Sequence, residues 1–253
     1  MTIPLQQEII YGPVNSRRLG RSLGINLLPT KYKVCTFNCL YCQYGWTRHY
    51  QIKPDHISDW PTKEEVFAAV ERSLSTLQMK PAFITFSGNG EPTMHPDFPE
   101  IVEAVIELRN KLAPESQTAI LSNSSTVDKV KIRTALERLD VRIMKLDCGN
   151  NHFLKKYNLP CAGIEYEKIV SGLVLLDDVT IQSLFSDGIS GNYHWDNISK
   201  WIEALLKIQP KLVQLYTLDR GYPSGKISPL SLHELKEIKR KLNEQNIRAE
   251  VYF

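Results

Sequence analysis

Three cysteines in the sequence lie close enough together for one metal centre to bind all of them. Cys35, Cys39 and Cys42 are spaced as Cys-x3-Cys-x2-Cys, whereas Cys148 and Cys161 stand apart. Thiolates are soft ligands that suit zinc or an iron–sulfur centre. Structural zinc and electron-transfer clusters both need a fourth ligand, which the neighbouring sequence does not supply. We therefore expect an iron–sulfur cluster with one iron open for chemistry; the alternative is a non-catalytic zinc or electron-transfer module.

A glycine-rich segment offers a second place for a ligand. Its residues are Ser87, Gly88, Asn89, Gly90 and Glu91, followed by Pro92. Glycine lets a backbone approach a ligand where a Cβ would obstruct it. A dinucleotide-binding fingerprint is excluded, because no third glycine follows at the required spacing and Pro92 lacks the amide donor that a phosphate cradle needs.

Short β-rich runs alternate with amphipathic helical patterns along the chain. The predicted strands are Ser22–Leu28, Phe83–Ser87, Thr118–Ser122, Val141–Asp147, Val179–Phe185, Leu212–Leu218 and Arg248–Phe253. The predicted helices are Thr62–Leu77, Phe98–Leu112, Thr126–Leu139, Ile164–Leu176, Trp195–Ile208 and Ser231–Asn243, with N-caps at Thr62 and Ser231. This alternation predicts right-handed crossovers and a parallel sheet. Because the strand–helix units are too few to close a barrel, we expect an α/β fold with a partial (β/α)6 TIM-like barrel, and a flat doubly wound sheet as second choice.

Polar side chains gather at the predicted carboxyl ends of the strands, where parallel barrels place their active sites. Alternation along Val141–Asp147 puts Lys145 and Asp147 on the inward face. By position, the candidate cofactor contacts are Ser122, Asn123, Lys145, Asp147, Gln182 and Tyr216. Cys148 follows directly and is a candidate catalytic residue, as a hydrogen-atom donor, a covalent anchor or a ligand to an auxiliary centre; the alternative is a small packing residue.

The cysteine motif, with Tyr41 directly before its third cysteine, resembles the signature of the radical S-adenosylmethionine (radical SAM) superfamily. The resemblance implies the radical SAM fold and a [4Fe-4S] cluster held by Cys35, Cys39 and Cys42. In that family the fourth iron binds S-adenosylmethionine, and one electron cleaves it to a 5′-deoxyadenosyl radical that abstracts hydrogen from substrate. The segment ending in Gly-Glu-Pro resembles the family's glycine-rich motif. The cofactor-binding residues implied by these motifs are Tyr41, Ser87, Gly88, Asn89, Gly90 and Glu91.

Longer stretches resemble a subgroup of iron–sulfur oxidoreductases often grouped with the wyosine-base synthases. The stretches are Tyr11–Asn26, Phe86–His95 and Leu212–Arg220. Those synthases condense pyruvate with a methylated guanosine in transfer RNA, so the resemblance implies oxidoreductase- or lyase-type chemistry with tRNA as substrate. A peptide or protein partner is the alternative. An external one-electron reductant, flavodoxin or ferredoxin, is expected as a further partner.

Composition places the chain among ordinary globular proteins. It has 253 residues, of which 42% are hydrophobic and 23% charged, and a formal net charge of +3. That charge does not demand a nucleic-acid partner. No apolar run is long enough to cross a bilayer, and five cysteines without a visible signal peptide argue against disulfides. We expect a cytoplasmic protein with no membrane partner, forming one domain over residues 1–253 with its cluster loop at 35–42.

Overall fold

Strands and helices alternate along most of the chain in the computed structural model, which describes residues 2–47, 49–50 and 57–253. The strands are β1 (Ile10–Ser16), β2 (Gly20–Ile25), β3 (Val34–Cys35), β4 (His49–Tyr50), β5 (Phe83–Phe86), β6 (Gln117–Ser122), β7 (Val141–Lys145), β8 (Thr180–Leu184), β9 (Ser186–Asp187), β10 (Leu212–Tyr216), β11 (Ser228–Pro229) and β12 (Ala249–Tyr252). The helices are α1 (Lys63–Thr76), α2 (Phe98–Leu112), α3 (Val130–Glu137), the single turn α4 (Asn151–Phe153), α5 (Tyr166–Val174), α6 (Trp195–Ile208) and α7 (Leu232–Glu244). A 3-10 turn covers Pro92–Met94 and a π-helical turn covers Leu154–Asn158.

One large sheet organises the fold. Its eight strands are ordered β1-β2-β5-β6-β7-β8-β10-β12. β1 pairs antiparallel with β2, and every other neighbouring pair in this sheet is parallel. The seven strands that we predicted form this parallel part in chain order, so the expected α/β fold with a mostly parallel sheet is confirmed. Because the strands are parallel, their carboxyl ends meet along one rim.

The hairpin between β1 and β2 shows that the sheet is rolled. Although β1 and β12 lie at opposite edges of the strand order, Arg17 Nη1 donates to Phe253 O at 3.2 Å. In the same turn, Leu19 packs with Ala119 of β6 and Ile143 of β7 in a small apolar cluster. The turn therefore reaches across the concave face of the sheet to its middle and far strands, as a partial barrel requires.

Helices cover the outer face, and two of them begin at the predicted caps. Thr62 and Ser231 each form a full capping box, with Glu65 and Glu234 respectively. Each cap stabilises its helix by about 1 kcal/mol. Met144 of β7 is fully buried in the main core together with residues of the helices, so the opposite face of β7 carries Lys145 toward the interior. Within the described ranges, no helix has both the length and the apolar character needed to cross a bilayer.

Candidate functional site

The cysteine motif forms a loop beyond the carboxyl end of β2. Cys35 lies in the short strand β3, and Cys35 and Cys39 are buried while Cys42 is half-buried. A turn in which Cys42 N donates to Cys39 O at 3.2 Å brings the second and third cysteines together. All three thiols are free. Within the described part of the chain, no group of three or more His, Cys, Asp or Glu side chains is arranged to hold a single metal ion.

Each of the three sulfurs faces a nitrogen donor from a different part of the chain. The pairs are Asn123 Nδ2 to Cys35 Sγ at 3.4 Å, Asn158 Nδ2 to Cys39 Sγ at 3.4 Å and Lys33 Nζ to Cys42 Sγ at 3.0 Å. N–H donors stabilise negative charge on sulfur and orient ligands at metal centres. The loop is therefore arranged to hold three thiolates, and its donor set suits an iron–sulfur cluster.

Lys33 is a buried cation beside these sulfurs. Its Nζ also donates to Gly45 O at 3.0 Å. Burial would lower the pKa of Lys33, but the nearby Cys42 and Cys35 outweigh it and the net shift is upward. No carboxylate among the described residues forms an ion pair with Lys33. The Lys33 ammonium therefore faces a sulfur and a carbonyl oxygen rather than an acidic side chain.

The thiols of Cys35 and Cys39 are neutral in this environment when no metal is bound. Burial raises the pKa of Cys35 to about 12, even though the nearby Lys33 lowers it. Burial and the neighbouring Cys42 raise the pKa of Cys39 to about 11. Binding of these two sulfurs as thiolates therefore requires a metal centre that displaces their protons.

The glycine-rich segment is fastened directly to β3. Val34 N donates to Asn89 O, and Glu91 N donates to Val34 O, each at 3.1 Å. Gly90 has φ +148°, and a Cβ built on it would lie 1.7 Å from Val34 O. Only glycine fits at this approach. The backbone that the sequence predicts to meet a cofactor therefore also fixes the strand that carries Cys35.

Glu91 joins the ends of β5 and β6. Its buried carboxylate accepts from Ser122 Oγ at 2.9 Å, from Asn123 N at 2.6 Å and from Thr93 Oγ1 at 2.7 Å. Burial raises the pKa of Glu91 even though these hydrogen bonds oppose the shift. Because the side chain of Asn123 in turn donates to Cys35 Sγ, Glu91 positions this amide by accepting from the backbone N–H of the same residue.

Two other residues of the segment contact the amino-terminal stretch. The side chain of Asn89 donates to the carbonyl oxygens of Gln6 and Pro29 at 2.9 and 3.0 Å, and it accepts from Gln6 N at 2.8 Å. The hydroxyl of Ser87 forms a hydrogen bond with that of Tyr11. Both side chains are thus engaged with protein groups, and their predicted contacts with a cofactor stay predictions.

Asp147 is the centre of a second polar network, at the end of β7. Its carboxylate pairs with Lys145 Nζ at 2.8 Å and accepts from Leu184 N at 2.8 Å. It also accepts from the Tyr41 hydroxyl and from Asn158 Nδ2, the latter at 2.8 Å. Through Asn158, which donates to Cys39, this network reaches the cysteine loop. The structure thus brings together the predicted residues Tyr41, Lys145 and Asp147.

Lys145 carries this network into the barrel interior. Its Nζ lies 5.0 Å from the ring centroid of Tyr41 and 4.7 Å from that of Tyr216, and it donates to the Tyr216 hydroxyl at 2.8 Å. That hydroxyl donates to Gln182 Oε1 at 3.3 Å. Burial would lower the pKa of Lys145, but Asp147 outweighs it and the pKa rises. Lys145 is therefore a fixed cation between two aromatic rings.

Cys148 lies behind the network rather than in an open space. It is 1% exposed, and its Sγ donates to Asn158 Oδ1 at 3.2 Å. Burial and the nearby Asp147 raise the pKa of its thiol well above the usual value. Because the same amide donates to Cys39, Cys148 contacts the cysteine motif through Asn158.

Two of the sulfur-binding side chains were missed by sequence reasoning. Lys33 lies two residues before the first cysteine, and that proximity was an available signal. Asn158 sits at the end of a π-helical turn more than a hundred residues away, and no spacing in the sequence connects it with Cys39.

Comparison with known proteins gives one family match and several relatives. The profile described as the Radical SAM superfamily matches residues 30–210. A UPF0026 protein of Synechocystis is 35% identical over 223 residues, covering 85% of this chain and 77% of the relative. A Brachyspira hyodysenteriae protein named GTPase Obg is 30% identical over 98% of this chain, which spans only 35% of that relative.

Two solved structures share the fold. TYW1 with a lysine–pyruvate adduct bound matches with a TM-score of 0.64 and 18% identity, over 88% of this chain and 73% of the other. Streptococcus suis SuiB bound to precursor peptide SuiA matches with a TM-score of 0.65 and 12% identity, over 91% of this chain and 48% of the other. At these identities the likeness concerns the fold.

Proposed function

The chain belongs to the radical SAM superfamily and to the UPF0026 proteins, and from this premise we propose that it is an enzyme that cleaves S-adenosylmethionine reductively. The observation that carries the proposal is the cysteine loop in which the sulfurs of Cys35, Cys39 and Cys42 each accept from a side-chain nitrogen donor. These three residues would hold a [4Fe-4S] cluster, because thiolate sulfur is its usual protein ligand. The buried ammonium of Lys33 would offset the negative charge that thiolates bring into the site.

The groups around the loop divide into those that face the interior and those that position others. A [4Fe-4S] cluster held there would, with S-adenosylmethionine and one electron, supply a 5′-deoxyadenosyl radical able to take a hydrogen atom from substrate. Lys145 has an ammonium on the interior face, and we assign it to the methionyl carboxylate. Asp147 holds Lys145 and Tyr41 in place, and Glu91 does the same for Asn123. Asp147 and Glu91 are therefore positioning residues in this proposal.

The proposed enzyme also needs an electron donor, a cellular compartment and a substrate. Flavodoxin or ferredoxin would supply the electron. All five cysteines are free, which supports a reducing, cytoplasmic compartment. Residues 1–253 would act as one radical SAM domain. A tRNA base and a peptide or protein side chain both stay predicted substrates, and the nature of the molecule that copurifies, nucleic acid or peptide, separates them.

Anaerobic reconstitution with iron and sulfide tests the central proposal. We expect a brown protein with about four iron atoms per chain, because a [4Fe-4S] cluster contains four. With dithionite and S-adenosylmethionine it should form 5′-deoxyadenosine, measured by chromatography. A colourless protein that takes up zinc in a closed tetrahedral site, or a brown one that never cleaves S-adenosylmethionine, would overturn the proposal.

Replacing Lys33 with methionine should make the cluster harder to reduce. A buried positive charge favours the more negative, reduced state, and little water is present to screen it. We expect the equilibrium constant for one-electron reduction to fall about tenfold, which corresponds to about 59 mV. Redox titration followed by electron paramagnetic resonance measures this directly.

Two variants control for charge and for shape. Lys31→Met removes the same charge from an exposed position two residues away, and Lys33→Arg keeps the charge at the site. Both should stay close to the unmodified protein. An unchanged potential in Lys33→Met, or loss of iron with an intact fold, would contradict an electrostatic role.

Cys148→Ala and Cys148→Ser separate a positioning thiol from a reactive one. Serine retains a donor toward Asn158, whereas alanine loses it, so we expect only alanine to lower the free energy of unfolding, by about 1 kcal/mol. Both variants should keep their iron and form 5′-deoxyadenosine. If both form 5′-deoxyadenosine but lose the product made from substrate, the thiol takes part in the chemistry.

A further inference from the structure

We propose that Arg18 binds an oxyanion of the substrate, a carboxylate or a phosphate group, inside the partial barrel. The role of this anion as a substrate group rests on the proposed function, whereas the anion site itself does not. Arg18 belongs to the turn between β1 and β2, which crosses the concave face of the sheet. The side chain is one of several arginines that sequence alone would leave on a solvated surface, and its surroundings differ from such a surface.

The guanidinium of Arg18 is held by aromatic rings. Its Cζ lies 4.2 Å from the ring centroid of Tyr216 and 5.2 Å from that of Tyr252. These two tyrosines are neighbours in the register of β10 and β12. Stacking on rings fixes the plane of a guanidinium and leaves its N–H edge available.

Among the residues that the structure describes, none accepts a hydrogen bond from that edge. Arg18 Nε is buried without a hydrogen-bond partner, and within the described ranges the guanidinium of Arg18 forms no hydrogen bond or ion pair. Its neighbour Arg17 differs, since it pairs with Asp219 and donates to Phe253 O. A planar fork of donors without an acceptor matches the bidentate geometry of carboxylates and phosphates.

The charges around Arg18 favour an anion. Burial lowers the pKa of Arg18, and Arg17 adds to this effect. Tyr216 and Asp219 raise the pKa but do not cancel the lowering. The acidic group Asp219 is already paired with Arg17, and Asp147 on the far side of Tyr216 is paired with Lys145. Among the described residues of this group, Arg18 is thus the cation that no carboxylate pairs with directly.

The position of Arg18 connects it with the candidate reaction centre. Tyr216 is contacted on its ring by both Arg18 and Lys145, and Lys145 also contacts Tyr41, the residue before Cys42. An anion on Arg18 would therefore lie one aromatic ring away from the Lys145 network. Such a group would anchor the substrate with the rest of it directed toward the cysteine loop.

Open space is present on the same concave face. Leu121 shares its face of β6 with Ala119, which packs against Leu19 of the hairpin turn. Leu121 is nevertheless 37% exposed, although β6 has a paired strand on each side. The interior beside the middle strands is therefore accessible to a ligand.

Nuclear magnetic resonance of protein labelled with 15N-arginine tests this site, on the reconstituted full chain. The Nε–H signal of Arg18 is identified by its loss in Arg18→Lys and by its persistence in Arg17→Lys. Sodium phosphate and sodium acetate are titrated against sodium chloride at constant ionic strength. We expect a saturable shift of this signal with at least one of the two anions and none with chloride. The anion with the higher affinity tells whether phosphate or carboxylate is the group bound.

A second variant removes one of the two aromatic rings that contact Arg18 and keeps the arginine itself. Tyr252→Leu should weaken the apparent anion affinity several-fold. A shift that grows linearly with anion, that chloride also produces, or that is absent would overturn the anion site. A saturable shift in a protein that never forms 5′-deoxyadenosine would instead refute the proposed function and retain the site.

Discussion

Replacing any one of Cys35, Cys39 and Cys42 with alanine is expected to abolish reductive cleavage of S-adenosylmethionine. Three thiolates leave one iron of a cube open, and a missing ligand leaves the cluster with two protein bonds. Because such ligands act as a unit, we expect formation of 5′-deoxyadenosine to fall by about 10³-fold or more. Iron content after anaerobic reconstitution and 5′-deoxyadenosine yield measure the two parts of this result.

Cys161→Ala provides the matched control. Cys161 is also a buried free cysteine. Its backbone N donates to Thr36 O at 2.9 Å, but in the part of the chain that the structure describes its thiol forms no hydrogen bond with the three motif sulfurs. This variant should keep both its iron and its activity. If all four variants lose iron alike, the loss reflects damage to the fold; if alanine at the motif leaves iron and activity intact, the motif does not hold the cluster.

Replacing Gly90 with alanine is expected to damage both the fold and the cysteine site. The new Cβ would lie 1.7 Å from Val34 O. Because this oxygen is a backbone atom, a change of side-chain rotamer cannot relieve the clash. The φ of +148° adds strain for any side chain. We expect a loss of about 3 kcal/mol or more in the free energy of unfolding, measured by urea denaturation. Displacement of β3 should also lower the iron that the protein retains.

Gly225→Ala separates this effect from the general cost of removing a glycine. A Cβ on Gly225 meets no heavy atom within 4 Å. Its effect on the free energy of unfolding should stay within about 1 kcal/mol, and it can be stabilising. Equal stabilities for the two variants would mean that the backbone at Val34 and Gly90 yields easily, contrary to the packing described.

Strongly periodic elements were predicted well because their pattern and their packing agree. The helices Phe98–Leu112 and Trp195–Ile208 have the predicted bounds. Strand ends were less predictable. Leu27 and Leu28 are apolar and fully buried, which extends the β pattern, yet β2 ends at Ile25 because the Asn26 side chain donates to Leu28 O at 2.8 Å and turns the chain.

The missed elements lack a periodic signal. Ile10–Ser16 contains Pro13 and half-exposed polar residues, which are typical of an edge strand, and the sequence pattern predicts no strand there. The turn Leu154–Asn158 is too short for helical periodicity. It follows directly on α4, where the side chain of the N-cap Asn150 accepts from Phe153 N at 3.0 Å. Residues near Cys35 in sequence were therefore within reach of prediction, whereas Asn158 is brought to Cys39 by tertiary packing.

The candidate site shows the same division. The cysteine motif and the glycine-rich segment were recognised from local spacing, and the structure ties them together through Val34. The contacts of Lys145 with Tyr41 and Tyr216 needed the parallel register to become visible. Alternation along a strand predicts the face of a residue but leaves its partners on other strands undefined.

The reach of the first hairpin across the sheet has a consequence for synthesis of the chain on the ribosome. Arg17 finds its partners at Asp219 and Phe253, separated from it by 202 and 236 positions. Contacts of such long range form late, because a large loop must close first. The turn of the first hairpin therefore stays undocked on the nascent chain until β12 has left the ribosome.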